Sequence, residues 1–183
     1  MSATALSPVG ESGPVTQGGG KVSLHAGRGQ LYLAFILGQE IFAIDILRIR
    51  EIIEYIEPTT VPMMPPSLRG VINVRGAVVP VIDLAVRFGW QPTGVGRRTC
   101  IVIVEIEYQG AKHVLGLVVD KVNAVTEIKA EDIDLPPAFG AHINTEFING
   151  MAKVNGKFVI VLNIERTLTV EEIAAVRQAS IQS

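Results

Sequence analysis

Apolar residues fall along this chain in short runs broken by Gly, Pro and Asn. From Gln30, Leu31, Leu33, Phe35 and Leu37 alternate with Tyr32, Ala34 and Ile36, which predicts a strand. Gly38-Gln39-Glu40 turns the chain, and Ile41-Phe42-Ala43-Ile44 returns as a second strand. Asp45 to Arg48 reads as a corner or single helical turn. Ile49 to Ile56 is short and β-branched, with Pro58 close behind it, and so reads as a strand rather than a helix. Pro58 to Ser67 holds four prolines with Met63 and Met64, and is expected to be a stiff loop in extended conformation.

Leu68 to Phe88 is the most informative stretch. Val71, Ile72 and Val74 lead into Arg75-Gly76, and Val78 to Leu84 lead out, a hairpin pattern. Asp83 to Phe88 is long enough for one short helix ended by Gly89. Thr99–Tyr108 and His113–Val119 predict two more strands around Gln109-Gly110, and Asp120–Ile128 continues the sheet through another corner. Lys129 to Asn144 is polar and proline-bearing. Glu146–Ile164 holds a last hairpin around Asn155-Gly156. Thr169 and Glu172 have capping-box spacing, predicting a C-terminal helix from Val170 to about Ala179. Many short strands with one terminal helix read as an all-β fold of small barrels or sandwiches.

Leu68–Phe88 lies over Ile148–Leu168 without gaps at a shift of roughly 80 residues. Gly70 meets Gly150, Val74 meets Val154, Gly76 meets Gly156 and Asp83 meets Asn163. Phe42-Ala43-Ile44-Asp45 resembles Leu117-Val118-Val119-Asp120 more loosely, which marks Asp45 and Asp120 as corner residues. The chain therefore reads as two copies of one β-unit. The repeat supplies an internal control: the second copy turns on Asn155-Gly156, the pair that a type I′ hairpin prefers, while the first uses Arg75. The turn does not require arginine. A guanidinium with five donors in a planar fork suits a partner's carboxylates or carbonyls. A solvated surface arginine, or one paired with Glu51 or Asp83, is equally compatible with the residues.

Composition narrows the function. The chain has 183 residues, 48% hydrophobic and 19% charged, enough for a globular core in one domain or two small ones. Its net charge of −2 argues against a nucleic-acid or anionic-membrane binder. Met1–Gly29 carries Gly18-Gly19-Gly20, Pro8 and Pro14 without an apolar core segment, and reads as a disordered tail rather than a signal peptide. No apolar run spans a bilayer, so the expected compartment is the cytoplasm. Cys100 is the single cysteine, cannot pair within the chain and reads as a buried strand residue.

Site chemistry for catalysis is missing. His25, His113 and His142 have no metal-ligand spacing, and no Lys-Ser/Thr follows the glycine run. Glu131, Asp132 and Asp134 read as a solvated acidic loop. No enzyme activity, metal or cofactor is expected. Trp90, beside Pro92, reads as a cover for the first barrel rather than as part of the aromatic groove that a proline-rich-peptide module needs.

Six stretches, Gly38–Ile46, Ile49-Arg50-Glu51-Ile52, Leu68–Gly76 with its Asn-x-Arg-Gly, Val79–Leu84, Gly116–Val122 and Leu162–Glu165, together resemble the CheW coupling proteins of bacterial chemotaxis. It covers about Gln30 to Ile173. Val74, where leucine is more usual, and the N-terminal tail depart from the pattern. The resemblance implies two intertwined SH3-like five-stranded β-barrels over 30–168 with a hydrophobic seam, flanked by a tail at 1–29 and a short C-terminal helix and tail at 169–183. It implies a non-catalytic adaptor that bridges the cytoplasmic tip of chemoreceptors and the regulatory domain of the histidine kinase CheA. Such an adaptor sits at receptor arrays on the inner face of the membrane without inserting into it. By match to the family motif, Arg75, Asn73 and Gly76 are implicated in receptor binding, and Glu51 and Ile49 in receptor and kinase coupling. Gly70 starts the motif's strand and is the weakest of the set, since close packing alone explains a glycine. An adaptor of a twitching-motility or biofilm pathway, or a generic SH3-like peptide binder, are the alternatives.

Overall fold

The computed structural model describes residues 29–135, 143–168 and position 174. The expected N-terminal tail and C-terminal helix therefore lie outside the described residues, apart from Gly29 and Ala174. The strands are β1 (Gln30–Leu37), β2 (Glu40–Asp45), β3 (Ile49–Glu54), β4 (Leu68–Val74) and β5 (Ala77–Asp83). After the short helix α1 (Leu84–Arg87) come β6 (Cys100–Tyr108), β7 (Ala111–Val119) and β8 (Lys121–Ile128). β9 (Ile148–Val154), β10 (Lys157–Leu162) and α2 (Ile164–Thr167) complete the order.

These strands make two five-stranded sheets, ordered β3-β6-β7-β5-β4 and β8-β1-β2-β10-β9. The first barrel is one continuous piece of chain. The second is made from both flanking pieces, because the β1–β2 hairpin joins strands that follow the first barrel. The two are intertwined for that reason. Each sheet is closed by a bridge from the segment after its edge strand, Thr59 to Val71 in the first barrel and Asp134 to Met151 in the second. These bridges fall on repeat-equivalent positions.

The same repeat explains two glycines. A side chain on Gly70 would put its Cβ 2.1 Å from the Thr59 carbonyl oxygen. On Gly150 it would lie 2.4 Å from Ile133 Cγ2 and 2.6 Å from the Asp134 oxygen. Only glycine lets the closing segment approach the strand.

Side-chain alternation sorts the core into three clusters. Ile72, Val79, Val81, Ile101, Ile103 and Val118 fill the first barrel, and Tyr32, Ala43, Ile128, Ala152, Val159 and Val161 fill the second. The opposite faces of both sheets meet in a seam of 23 buried residues among those described, so most of the hydrophobic stabilisation lies between the barrels rather than inside them. Phe35, Phe42, Phe88 and Phe147 form a chain of stacked rings through this seam, with centroids 5.5–6.1 Å apart. Trp90 packs on Phe42 and Phe88, over the β1–β2 turn, so it covers the seam and not the first barrel. Between the two copies of the repeat, Arg87 donates from Nε to the carbonyl oxygen of Thr167, its own counterpart, and lies over the Phe147 ring.

Other expectations meet the structure as follows. Asp83 caps α1 by accepting from the Ala85 N–H, and Gly89 ends it at a φ of 86°. The corner at Asp45 is a 3-10 turn, with Asp45 accepting from the Leu47 N–H. Asp120 accepts instead from Gly38 N–H in the other hairpin, so the two aspartates are both structural but not equivalent. Pairing register agrees: Val161 faces Ala43, whereas its counterpart Val81 faces Gly116, two residues off the sequence match. The loop before β4 is not wholly extended, since it turns at Pro62-Met63 and Pro66-Ser67. Cys100 opens β6 as expected of a strand residue but is half-buried rather than buried, and helix α2 is an element the sequence pattern does not predict, although it repeats α1.

Candidate functional site

The β4–β5 hairpin ends in a two-residue loop with Arg75 at φ 54° and Gly76 at φ 88°, the double positive of a type I′ turn. Asn155-Gly156 adopts the same conformation at 52° and 81°. Left-handed backbone is costly for a residue with a long side chain and easy for asparagine. Asn73 supports the first turn by accepting from the Gly76 N–H at 3.0 Å. In the second copy Lys153 occupies that place. The turn with the unfavourable residue thus carries an added side-chain brace.

Arg75 lies over Glu51 on β3, with Nη2 3.1 Å from Oε1. Its side chain is still 79% exposed, while that of Glu51 is 25% exposed. Of the partners open to Arg75 from sequence, Glu51 is the one used. Asp83 is engaged elsewhere: Arg69 Nε donates to its Oδ2 at 2.9 Å, and the Arg69 Nη1 donates to the Tyr55 hydroxyl at 2.8 Å. Burial works against the Arg69 charge, but the Asp83 carboxylate and the Tyr55 hydroxyl outweigh it and hold Arg69 above the ordinary arginine range.

Glu51 reaches this position through a bulge. Ile49 pairs with Val104 and Glu51 with Ile103, leaving Arg50 as the extra residue. Ile49 packs partly into the seam, and Arg50 turns to Glu105 at 3.1 Å. Lys112 approaches the other Glu105 oxygen at 3.5 Å. Between these charges lies a concavity of about 480 Å³ floored by Val79, Ile103 and Val114. His113 also lines it, and its Nε2 has no hydrogen-bond partner among the described residues. The equivalent concavity on the second barrel, about 300 Å³, presents Asn155 and Lys157 with no acid among its described lining residues.

Arg75, Glu51, Asn73 and Gly76 are therefore brought to one rim, with Ile49 two residues behind. Gly70 is not part of that surface: it is buried under Thr59, and its recurrence as Gly150 assigns it to barrel closure. The Arg50–Glu105–Lys112 group was not picked out from sequence, because cross-strand neighbours on β3, β6 and β7 depend on a bulge that no local pattern announces.

A family model described as the CheW-like domain matches residues 31–172. The chain is 36% identical over 148 residues to the chemotaxis protein CheW of Klebsiella aerogenes, covering 81% of this chain and 87% of that one. It is 34% identical over 137 residues to the chemotaxis protein CheW of Helicobacter pylori, covering 75% and 80%. The crystal structure of the scaffolding protein TtCheW from Thermoanaerobacter tengcongensis superposes with a TM-score of 0.69 at 34% identity, covering 79% of this chain and 90% of that one. Two barrels on one seam, with matches running through nearly all the described strands, place the chain in the CheW family of chemotaxis coupling adaptors.

Proposed function

We propose that this adaptor is non-catalytic and couples the cytoplasmic tip of chemoreceptors to the regulatory domain of the histidine kinase CheA, with Arg75 and Glu51 as its charged docking rim. The observation that carries the reading is the departure at one turn. Arg75 occupies a left-handed position that its counterpart fills with asparagine. An ion pair as exposed as Arg75–Glu51 contributes roughly 0–1 kcal/mol, so folding stability does not account for the arginine. A guanidinium on the charged rim of a concavity floored by Val79, Ile103 and Val114 suits a partner that brings apolar anchors and carboxylates or carbonyls. Asn73 and Gly76 shape the turn, Ile49 supports β3 from behind, and Gly70 acts through barrel closure. Among the described residues no helix is long and apolar enough to cross a membrane, so the adaptor's place at the inner face of the membrane would come through its partners.

The test is a reconstituted phosphorylation assay with receptor, kinase and this chain. Kinase activity is expected to rise only when all three are present, and Arg75→Glu is expected to reduce that rise while the variant stays folded. ATP turnover by this chain alone would defeat the reading.

A further inference from the structure

The segment between α1 and β6 is fastened at both ends without burying its middle. At one end, the Thr93 N–H donates to Asp83 Oδ2 and its hydroxyl to Oδ1, both at 3.0 Å. The Thr93 carbonyl oxygen accepts from Arg69 Nη2. At the other end, the Thr99 hydroxyl accepts from the Gly96 N–H at 2.7 Å, and the Thr99 N–H donates to the Gly96 oxygen at 3.3 Å. Thr93 and Thr99 are buried, yet Gly94 to Arg98 are all exposed.

The fastening is more than the hairpin needs. In the second copy Asn149 and Asn163 replace Arg69 and Asp83, and a neutral amide pair at 3.2 Å serves the same hairpin. The charged version adds the hold on Thr93. What the held segment displays is Arg97 and Arg98, adjacent and without an acidic partner among the described residues, beside the half-exposed Val95. Arg69 and Arg75 lie at opposite ends of β4, on the order of 20 Å apart at about 3.3 Å per residue. The loop is thus a surface distinct from the Arg75–Glu51 rim.

We propose that the loop Thr93–Thr99 is a second recognition element, held rigid so that the Arg97 and Arg98 guanidiniums grip a carboxylate-bearing segment of a partner protein. Two guanidinium forks match one or two carboxylates. A membrane or nucleic acid needs many more cationic contacts, and this chain's net charge is −2. Holding the loop in advance removes an ordering cost from binding. The coupling reading names the receptor and the kinase as the proteins that could supply the acidic segment.

The first arm of the test needs neither protein. A peptide of alternating Glu and Ala is titrated into the isotope-labelled full chain and followed by amide shifts. Shifts centred on 94–98 are expected, lost in R97E/R98E and several-fold weaker in R97K/R98K. Absence of shifts there, shifts spread evenly over other surface cations, or an equal response to inorganic phosphate or phosphatidylglycerol vesicles would overturn the proposal. In the second arm, R97E/R98E is expected to lower affinity for the receptor fragment or the kinase about tenfold, with a weaker salt dependence. If the wild-type chain binds neither, the coupling reading fails and the peptide arm alone decides the loop.

Discussion

Arg75 and Glu51 meet at 3.1 Å across the mouth of the first barrel, joining a turn residue in left-handed conformation to a strand residue placed by a bulge. The pair does little for stability, since one side chain is 79% exposed. Replacing Arg75 with the residue its sister turn uses separates the two roles. Arg75→Asn is expected to leave the chain as stable or to raise its stability by up to about 1 kcal/mol, because asparagine tolerates this backbone better. Chemical denaturation measures that, and partner pull-down should fall in the same variant.

Charge exchange tests whether the pair acts as a unit. Arg75→Glu sets two carboxylates against each other at the rim, and Glu51→Arg sets two guanidiniums there. Each single variant should weaken partner binding, with stability changing by less than about 1 kcal/mol. In the double exchange the intramolecular pair re-forms with reversed polarity. If the partner reads Arg75 itself, binding stays weak although the pair is restored; full recovery would show that only the pairing matters.

Much of this architecture was legible in the residues. Alternation located the strands, and the gapless overlay of Leu68–Phe88 on Ile148–Leu168 held for the hairpins, the closing bridges and both turn conformations. The looser match of Phe42–Asp45 to Leu117–Asp120 does not hold, since the register of β2 against β7 is two residues off: parallel pairing to β5 or β10 is set by packing and leaves no local signature. Arg75 stood out because its turn demands a different residue type. Its choice of Glu51 over Asp83 was open, since that depends on the bulge at Arg50 and on Arg69 occupying Asp83. Trp90 packs on the seam rather than on the one barrel its loop position suggests, because a lone aromatic does not reveal which of two packed sheets it covers.

Three glycines divide by what surrounds them. Gly70→Ala and Gly150→Ala must displace backbone or a packed side chain that lies within 2.1–2.6 Å of the new Cβ. Each should cost more than about 2 kcal/mol. Gly76 has open space around it and only its φ of 88° to defend, so Gly76→Ala should cost on the order of 1 kcal/mol. Thermal unfolding of the three variants gives the ranking, and a Gly76 variant as damaged as the Gly70 variant would contradict it.

Asp83 is buried and accepts from Arg69, Thr93 and Ala85 at once. Asp83→Asn removes the charge facing a half-buried guanidinium and should cost about 3–5 kcal/mol. The double variant R69N/D83N copies the Asn149–Asn163 pair of the second barrel and should be less destabilised than D83N alone. Hydrogen exchange should then show the Thr93–Thr99 amides exchanging faster while β4 and β5 remain protected.

The seam makes the strongest demand on cooperativity. Each barrel encloses six buried residues among those described, several of them alanine or valine, whereas 23 lie between the barrels. The interior of one barrel alone cannot offset the chain entropy of folding it. Phe88 links the ring chain of the seam, stacked on Phe42 at 5.5 Å and on Phe147 at 6.1 Å. Phe88→Ala should therefore cost about 3–5 kcal/mol and lower the stability of both barrels together. Unfolding followed in each barrel separately, by hydrogen exchange at β4 and at β9, should show one shared transition in the wild type and in the variant. Two separated transitions would mean that each barrel folds on its own core and that the seam is only a docking face.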